Sequence, residues 1–435
     1  MPTVSATSQP STCPVTDAAT SPDEPAATSD AGKVGTRLRR LPRAAAFWLV
    51  GLTAATLLAA SSAPSPLYPV FQAEFGFSAI TLTSIFAVYV LALLAALLTV
   101  GRLSDFIGRR PVLAAALVVE AGAMAVFLGA DSVTWLVAAR IVQGLATGAA
   151  VGVLGAYLLD LQPPDGSRLG SLVNSVAPTS GLGLGAIGTG VLVQYAPHPT
   201  KLVFVVLLVL FGLLLAATAV LPETVRRVPG GVAALRPTVA VPAPARTAFL
   251  TALPTMLATW ALGGLVFSVG GSLLGSVFDQ RNEAVIGLVL GVFALAGAAA
   301  ALAFNTTAPE TVTLVGVAAL VAGTVLFLIG VAAASLTVFV IAAVVSGAGF
   351  GSAFLGSLRS MTQLAEPHQR AGLLSAVYVV SYLAFSIPAV VGGVLITHIG
   401  IRDTSLGYGA LVGLLALTSL ALGLVTLRRA RPAGG

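Results

Sequence analysis

The feature that most constrains this chain is a succession of twelve apolar stretches, each about twenty residues long and almost free of charge. They lie near residues 44–63, 79–100, 111–130, 133–157, 169–193 and 201–221, then 248–268, 284–304, 311–331, 335–357, 371–396 and 404–427. As a helix, such a stretch crosses a hydrocarbon core of about 30 Å. Helix is the geometry that satisfies every backbone polar group within one segment. Charged residues make up 9% of the 435 positions and hydrophobic ones 57%, whereas a soluble domain carries about 25% charge. Too few charges remain to cover a water-facing surface. The expected fold class is therefore an all-α integral membrane protein with twelve transmembrane helices.

The stretches divide six and six. The sixth ends in Leu221-Pro222-Glu223-Thr224, and residues 222–246 form the longest internal polar break, with Arg226, Arg227, Arg236, Arg246 and five prolines. The expected organisation is a disordered cytoplasmic tail (1–43), a six-helix half (44–221), a cytoplasmic linker (222–246), a second six-helix half (247–427) and a short tail (428–435). A duplicated hydropathy pattern of this kind marks secondary-transporter folds. With the N-terminus inside, 18 of the 22 Lys and Arg residues fall on the cytoplasmic side. Lys201, Arg281 and Arg402 fall outside, and Arg140 lies within a span. The positive-inside rule then places both termini in the cytoplasm.

Several function classes are excluded. The net charge of +6 is scattered over the ends of apolar runs, so nucleic acid is not an expected partner. A single cysteine, Cys13, allows no internal disulfide and no cysteine-based metal or redox motif. His198, His368 and His398 sit at span ends without ligand-like spacing, so no metal site is expected. No G-x-x-x-x-G-K-[ST] loop is present, which disfavours an ATP-driven pump. No cofactor is expected, nor an enzyme. The first 40 residues contain no apolar h-region, so no secretory leader is expected. Arg outnumbers Lys by 20 to 2, which points to a GC-rich bacterial genome and a bacterial inner membrane.

Between the second and third stretches lies Gly101-Arg102-Leu103-Ser104-Asp105-Phe106-Ile107-Gly108-Arg109-Arg110, dense in charge and glycine. Gly101 and Gly108 allow a tight turn with close backbone approach. Asp105 is placed to face a helix N-terminus or an arginine, either of which favours an anion. This segment resembles the loop of the major facilitator superfamily with the pattern G-x-L-x-D-R-x-G-R-[RK]. It matches at Gly101, Leu103, Asp105, Gly108, Arg109 and Arg110, and departs at Phe106, where a basic residue is usual. Arg140-Ile141-Val142-Gln143-Gly144 through Ala149-Ala150 is similar to the family's R-x-x-Q-G-x-x-x-A-A stretch, and Pro222-Glu223-Thr224 to its ending of the sixth helix. The likeness covers about residues 44–427. It implies two six-helix bundles and alternating access. It also implies that Gly101, Asp105, Gly108, Arg109 and Arg110 form a conformational latch that closes on the start of the eleventh helix, near Ala371-Gly372.

Two ionisable residues lie well within spans, Glu120 and Arg140. A charge at the bilayer centre costs on the order of 3 kcal/mol or more, so each is a functional candidate. Counted back from their shared turn at 130–132, they lie about ten and eight residues deep, so at about 1.5 Å per residue their depths differ by only a few ångströms, which allows an ion pair if their helix faces meet. The resemblance implies a role for Arg140 in proton coupling or substrate contact, and Glu120 is the matching candidate for proton uptake. Gln143, Asn174, Pro178, Trp260, Tyr378 and Tyr382 are candidates to line a central cavity. Pro178 stands in Ala177-Pro178-Thr179-Ser180-Gly181, similar to the family's antiport element although Ala177 and Leu182 replace glycines. Gly183-x-Gly185-x-x-Gly188 has the form of a dinucleotide fingerprint but lies mid-span without a strand before it, and reads instead as close helix packing.

The function expected is proton-coupled export of a small amphipathic organic compound by a monomeric transporter, with that compound, protons and the lipid bilayer as partners. A proton symporter importing a metabolite is the alternative, followed by a non-transporting membrane sensor.

Overall fold

The structure, a computed structural model, describes residues 40–164, 169–231, 235–366 and 368–430, the side chains of 427–430 excepted. The N-terminal tail as far as residue 39, and the C-terminal tail from residue 431, lie outside the described residues. Every regular element among the described residues is helical. The helices are α1 (Arg43–Ser62), α2 (Pro64–Phe75), α3 (Ala79–Val100), α4 (Ser104–Ile107), α5 (Arg109–Leu128), α6 (Val133–Leu161), α7 (Leu169–Tyr195) and α8 (Leu202–Thr218). After the linker follow α9 (Arg246–Phe278), α10 (Glu283–Ala303), α11 (Pro309–Ala332), α12 (Leu336–Gln363) and α13 (Arg370–Ala430).

Ten helices among the described residues are long and apolar enough to cross a membrane, where the sequence predicts twelve spans. The difference has two local causes. The helix α13 runs through two of the stretches and is broken only at Gly400, whose φ of 81° and ψ of 164° are not helical. The helix α8, at 17 residues, falls just short of spanning length. Conversely, α1 and α2 act as one span from Arg43 to Phe75, because Ala63 between them stays helical.

Local sequence explains the helix ends. The Ser78 hydroxyl caps α3 by accepting from the Thr81 N–H. Asn282 caps α10 by accepting from the Ala284 and Val285 N–H groups at 3.0 and 3.2 Å, and Pro64 and Pro309 stand at helix starts, where a missing N–H costs nothing. Gly76, at φ 66°, closes α2 in the left-handed conformation. Large apolar side chains such as Leu213, Leu250 and Leu414 are about 60% exposed, a surface suited to lipid and not to water.

The helices α1 to α8 pack on one another, as do α9 to α13, and the resulting bundles meet along two main seams, α7 with α10 and α3 with α13. The close approaches cluster away from the end that carries residues 101–110. Gly190 lies against Gly287 and the Glu283 carbonyl, and Gly183 against Gly291 and Leu295. Gly393 lies against Thr83 and Ala79, and the Phe86 and Phe385 rings are 5.0 Å apart. The glycine run of α7 serves packing on two faces, since Gly181 and Gly185 abut the α1 backbone at Ala55 and Ala59.

Candidate functional site

Glu120 of α5 and Arg140 of α6 are both fully buried inside the first bundle. They share no direct ion pair; Gln143 stands between them. Its carbonyl oxygen accepts from Arg140 Nη1 at 2.7 Å, and its Nε2 donates to Glu120 Oε1 at 3.3 Å. Thr147 donates to Glu120 Oε2 at 3.4 Å. Arg140, Gln143 and Thr147 recur at i, i+3 and i+7, so a single face of α6 presents all three.

The rest of the guanidinium is satisfied by α1, α2 and α3. Nε and Nη2 donate to the Tyr68 hydroxyl at 3.1 and 2.6 Å, and Nη1 donates to the Ser61 carbonyl at 3.0 Å. The Tyr89 ring lies 4.9 Å beneath it, in cation–π range, and the Tyr89 hydroxyl donates to Ser61 Oγ at 2.7 Å. Gly144 and Gly148 make this contact feasible. A side chain at either would run into the α3 backbone at Tyr89 or Leu93. Tyr68, Tyr89, Ser61 and Thr147 escape the sequence reading, which sees depth but not helix face. A usable signal was the buried tyrosine hydroxyl, which must find a partner.

The candidate cavity residues fall in different surroundings. Gln143 belongs to the buried network just described. Trp260 of α9 sits among the rings of Phe350 and Phe354 of α12 and Tyr382 and Phe385 of α13, at centroid distances of 5.9, 5.2, 5.2 and 5.5 Å. Tyr378 stacks on Tyr382 at 6.0 Å. Tyr378 and Tyr382 are each half-buried. Pro178 lies half-buried inside α7. Asn174 is exposed, with its side chain beside Gly155 of α6.

At the arginine-rich end, Gly108 takes φ 103°, and the Glu223 carboxylate packs against it. That carboxylate accepts from the Arg109 and Arg110 N–H groups at 2.8 and 3.1 Å, capping α5 with a negative charge at the positive end of its dipole. Arg109 is the hub of the loop. It donates to Ser104 Oγ at 2.7 Å, pairs with Asp105, and reaches Asp160 Oδ2 of α6 at 3.1 Å. Asp160 also accepts from Thr224 Oγ1 at 2.7 Å. Gly101 lies against Gly152 of α6. Asp160 and the capping role of Glu223 were not visible in the sequence, because both partners lie more than 50 residues away.

Among the described residues, Asp105 makes no hydrogen bond or ion pair with the start of α13 and pairs with Arg109. The Gly372 carbonyl accepts instead from the Ala240 N–H of the linker at 3.2 Å, and Arg102 donates to Thr238 at 2.9 Å. Phe106, the departure from the family pattern, holds the linker's first part. Its carbonyl accepts from Val228 N–H at 2.9 Å, and its ring lies beneath Gly230. Among the described residues, no group of three His, Cys, Asp or Glu side chains is placed to hold a metal ion.

Comparison with curated proteins returned no match. Among solved structures, the chain is similar to the human organic anion transporter MFSD10 (TETRAN), with 19% identity and a TM-score of 0.63 over 87% of this chain and all of that one. It is also similar to a point mutant of the nucleoside transporter NupG, with 12% identity and a TM-score of 0.63 over 89% of this chain and all of that one. At these identities the likeness is one of fold. The sequence profile described as Major Facilitator Superfamily matches residues 50–309, well over half of the chain. The protein is thus a multi-pass membrane transporter that belongs to the major facilitator superfamily.

Proposed function

We propose that this transporter exports a small amphipathic organic compound in exchange for protons, from the cytoplasmic membrane of a bacterium, with both termini and the 101–110 loop on the cytoplasmic side. The halves 44–221 and 247–427 would rock about the seams α7/α10 and α3/α13. Contact concentrated at the opposite end corresponds to a cytoplasm-facing state. In that state the latch of Gly101, Asp105, Gly108, Arg109 and Arg110 is parted from the α13 start. Asp105 would close on it when the cytoplasmic side shuts.

The observation that carries the proton coupling is Glu120. A carboxylate fully buried beside an arginine, if only structural, would be drawn into a direct ion pair. Glu120 has instead two long contacts, from Gln143 and Thr147. Taking up a proton would disturb little hydrogen bonding there, as a group that is loaded and unloaded each cycle requires. The aromatic wall around Trp260 supports an amphipathic substrate, since no carboxylate or basic side chain stands among its rings and the Tyr382 hydroxyl supplies a polar group.

The test is flux of candidate compounds in liposomes containing the purified chain. Export activity that an imposed proton gradient drives and an uncoupler abolishes is the expected result. Uptake stimulated by inward proton flow would reverse the direction, and flux indifferent to proton gradients would remove the coupling.

A further inference from the structure

The seam between α1–α2 and α9 carries a line of polar groups that starts in the buried network at Ser61 and continues beyond it. The two segments run in the same direction, one from each bundle. On the first, Ser61, Ser65 and Gln72 lie on one face at spacings of four and seven. On the second, Ser268, Ser272 and Ser276 do the same at spacings of four. These faces meet. Gly271 lies against the Ser65 carbonyl and the Pro69 ring, and Ser272 Oγ donates to Gln72 Oε1 at 3.3 Å.

At the outer end of this seam is a cavity of about 210 Å³. Gln72, Ser272 and Ser276 supply its polar lining, with Leu82, Val269 and Ile396 among its apolar neighbours. It has room for several waters and the polar partners that waters need. Deeper in the seam, Ser65 and Ser268 are each only 3% exposed, and neither hydroxyl has a hydrogen-bond partner in the protein. Two buried orphan hydroxyls on facing helices, in line with a polar cavity, call for a small ligand that both donates and accepts. Water has that chemistry. Below them Ser61 joins the buried network, accepting from Tyr89 at its hydroxyl and from Arg140 at its carbonyl. Groups one turn apart are separated by about 6 Å, a gap that one bridging water spans.

We propose that this seam is a water-filled proton path from the outer end of the molecule to the Glu120–Gln143–Arg140 network. It operates in the state where the bundles are closed to substrate at that end. A proton moves along it by relay over hydroxyls and waters, each accepting one proton and releasing its own. From Ser61 the relay continues through the Tyr89 and Thr147 hydroxyls to Glu120 Oε2, with no net change in bonding until the carboxylate takes the proton. The path serves the proton-coupled reading above. Glu120 is fully buried in this state, so a proton reaches it only through its neighbouring side chains. The charged and titratable groups at its inner end are Arg140, Glu120, Tyr68 and Tyr89.

Silver-ion accessibility of the full chain tests the path without requiring transport. Replacing the one cysteine (Cys13→Ser) gives a background for Ser276→Cys, Ser272→Cys, Ser268→Cys and Ser65→Cys, all near-isosteric changes. Leu274→Cys, fully buried off that face of α9, is the control. In right-side-out vesicles, external silver should modify all four seam thiols, at least about tenfold faster than the control, which is reached only by local opening. Protection of Ser268→Cys and Ser65→Cys equal to that of the control overturns the path, whatever the flux measurements show. Ser268→Val gives a second readout. It should slow proton uptake by about a hundredfold while leaving substrate binding unchanged, the lower end of what one positioned proton-transfer group contributes. Unchanged proton uptake in that variant also overturns it. Absent flux in the unmodified chain would instead remove the transport reading and leave the silver result standing.

Discussion

The two bundles share a fold but handle charge differently. The first buries a carboxylate, a guanidinium and two tyrosine hydroxyls in one connected network. The second keeps its charged residues at helix ends, breaks and loops, among them Glu283, Glu310, Arg359, Arg370, Arg402 and Asp403, and at the matching depth carries aromatic rings around Trp260. The connections show the same contrast. The segment from the end of α3 into the first turn of α5, residues 101–110, holds an acid and three arginines, whereas the matching segment from α10 into α11, residues 304–310, holds the single acid Glu310 and no arginine. On the proposed reading, the first bundle responds to protons and the second holds the apolar part of the substrate.

Breaking the charged side should have the largest effect. Arg140→Met would strip partners from Tyr68, the Ser61 carbonyl and Gln143, and leave Glu120 buried without a nearby cation. Losing one member of a buried polar network costs about 3–5 kcal/mol. We expect a large drop in the thermal midpoint in detergent and no measurable flux. Arg140→Lys should not restore either property, because a single ammonium cannot reproduce the forked contact with Tyr68 and Gln143. A stable, active Arg140→Met variant would mean that the network is packing, and that the contrast between the bundles carries no function.

Glu120→Gln separates coupling from structure. The amide keeps the shape, its one carbonyl oxygen can still accept from Gln143, and its NH2 can donate to the Thr147 hydroxyl, so the thermal midpoint should stay close to that of the unmodified chain. Proton-driven flux should fall by about a hundredfold, in line with removal of a positioned proton carrier. Substrate exchange between the two sides at equal pH should persist. Equal losses of driven flux and exchange would show that Glu120 acts on substrate or on folding and not on protons.

The aromatic side is expected to yield a smaller and more specific change. Trp260→Leu removes four edge contacts, each worth about 0.5–1.5 kcal/mol when both rings are ordered. Substrate affinity should weaken by roughly tenfold, that is about 1.4 kcal/mol, while the coupling ratio of protons to substrate stays fixed. Titration of substrate binding in detergent measures the first quantity, and paired proton and substrate fluxes the second. A changed coupling ratio would erase the division of labour between the bundles.

How legible this was varied with the physics involved. Apolar stretches register composition and length directly, so the helices fall where the sequence places them, apart from the α13 run through Gly400 and the short α8. Glu120 and Arg140 were visible because charge inside a span is rare, and a count of residues from a shared turn set their depths. Their link through Gln143 was not, because a residue count gives no rotation about the helix axis. Tyr68 and Tyr89 were missed for the same reason, being ordinary residues until Gly144 and Gly148 bring α3 against α6. Asp160 and Glu223 hold the 101–110 loop from far along the chain, and no local pattern reports such a pairing. Phe106 read only as a departure from a motif; the linker that docks on it gives the substitution a structural reason.

The smallest effect on stability belongs to Asp105, and it tests the contrast between the loops. Its carboxylate is about half exposed, and its partner Arg109 keeps Asp160 and Ser104 when the acid is lost. Exposed pairs of this kind are worth about 0–1 kcal/mol, so Asp105→Asn should barely move the thermal midpoint. The distribution between states should shift, because the α13 start carries the positive end of a helix dipole and a neutral amide is a poorer partner for it than a carboxylate. Spin labels at Ile107 and Ala371 would report this as a smaller short-distance population in Asp105→Asn than in the unmodified chain. The uncharged loop at 304–308 supplies the matched control, since Asn305→Ala should leave that population unchanged. Equal distributions in all three proteins would make the 101–110 loop a topology anchor, its charges serving only to keep it on one side of the membrane.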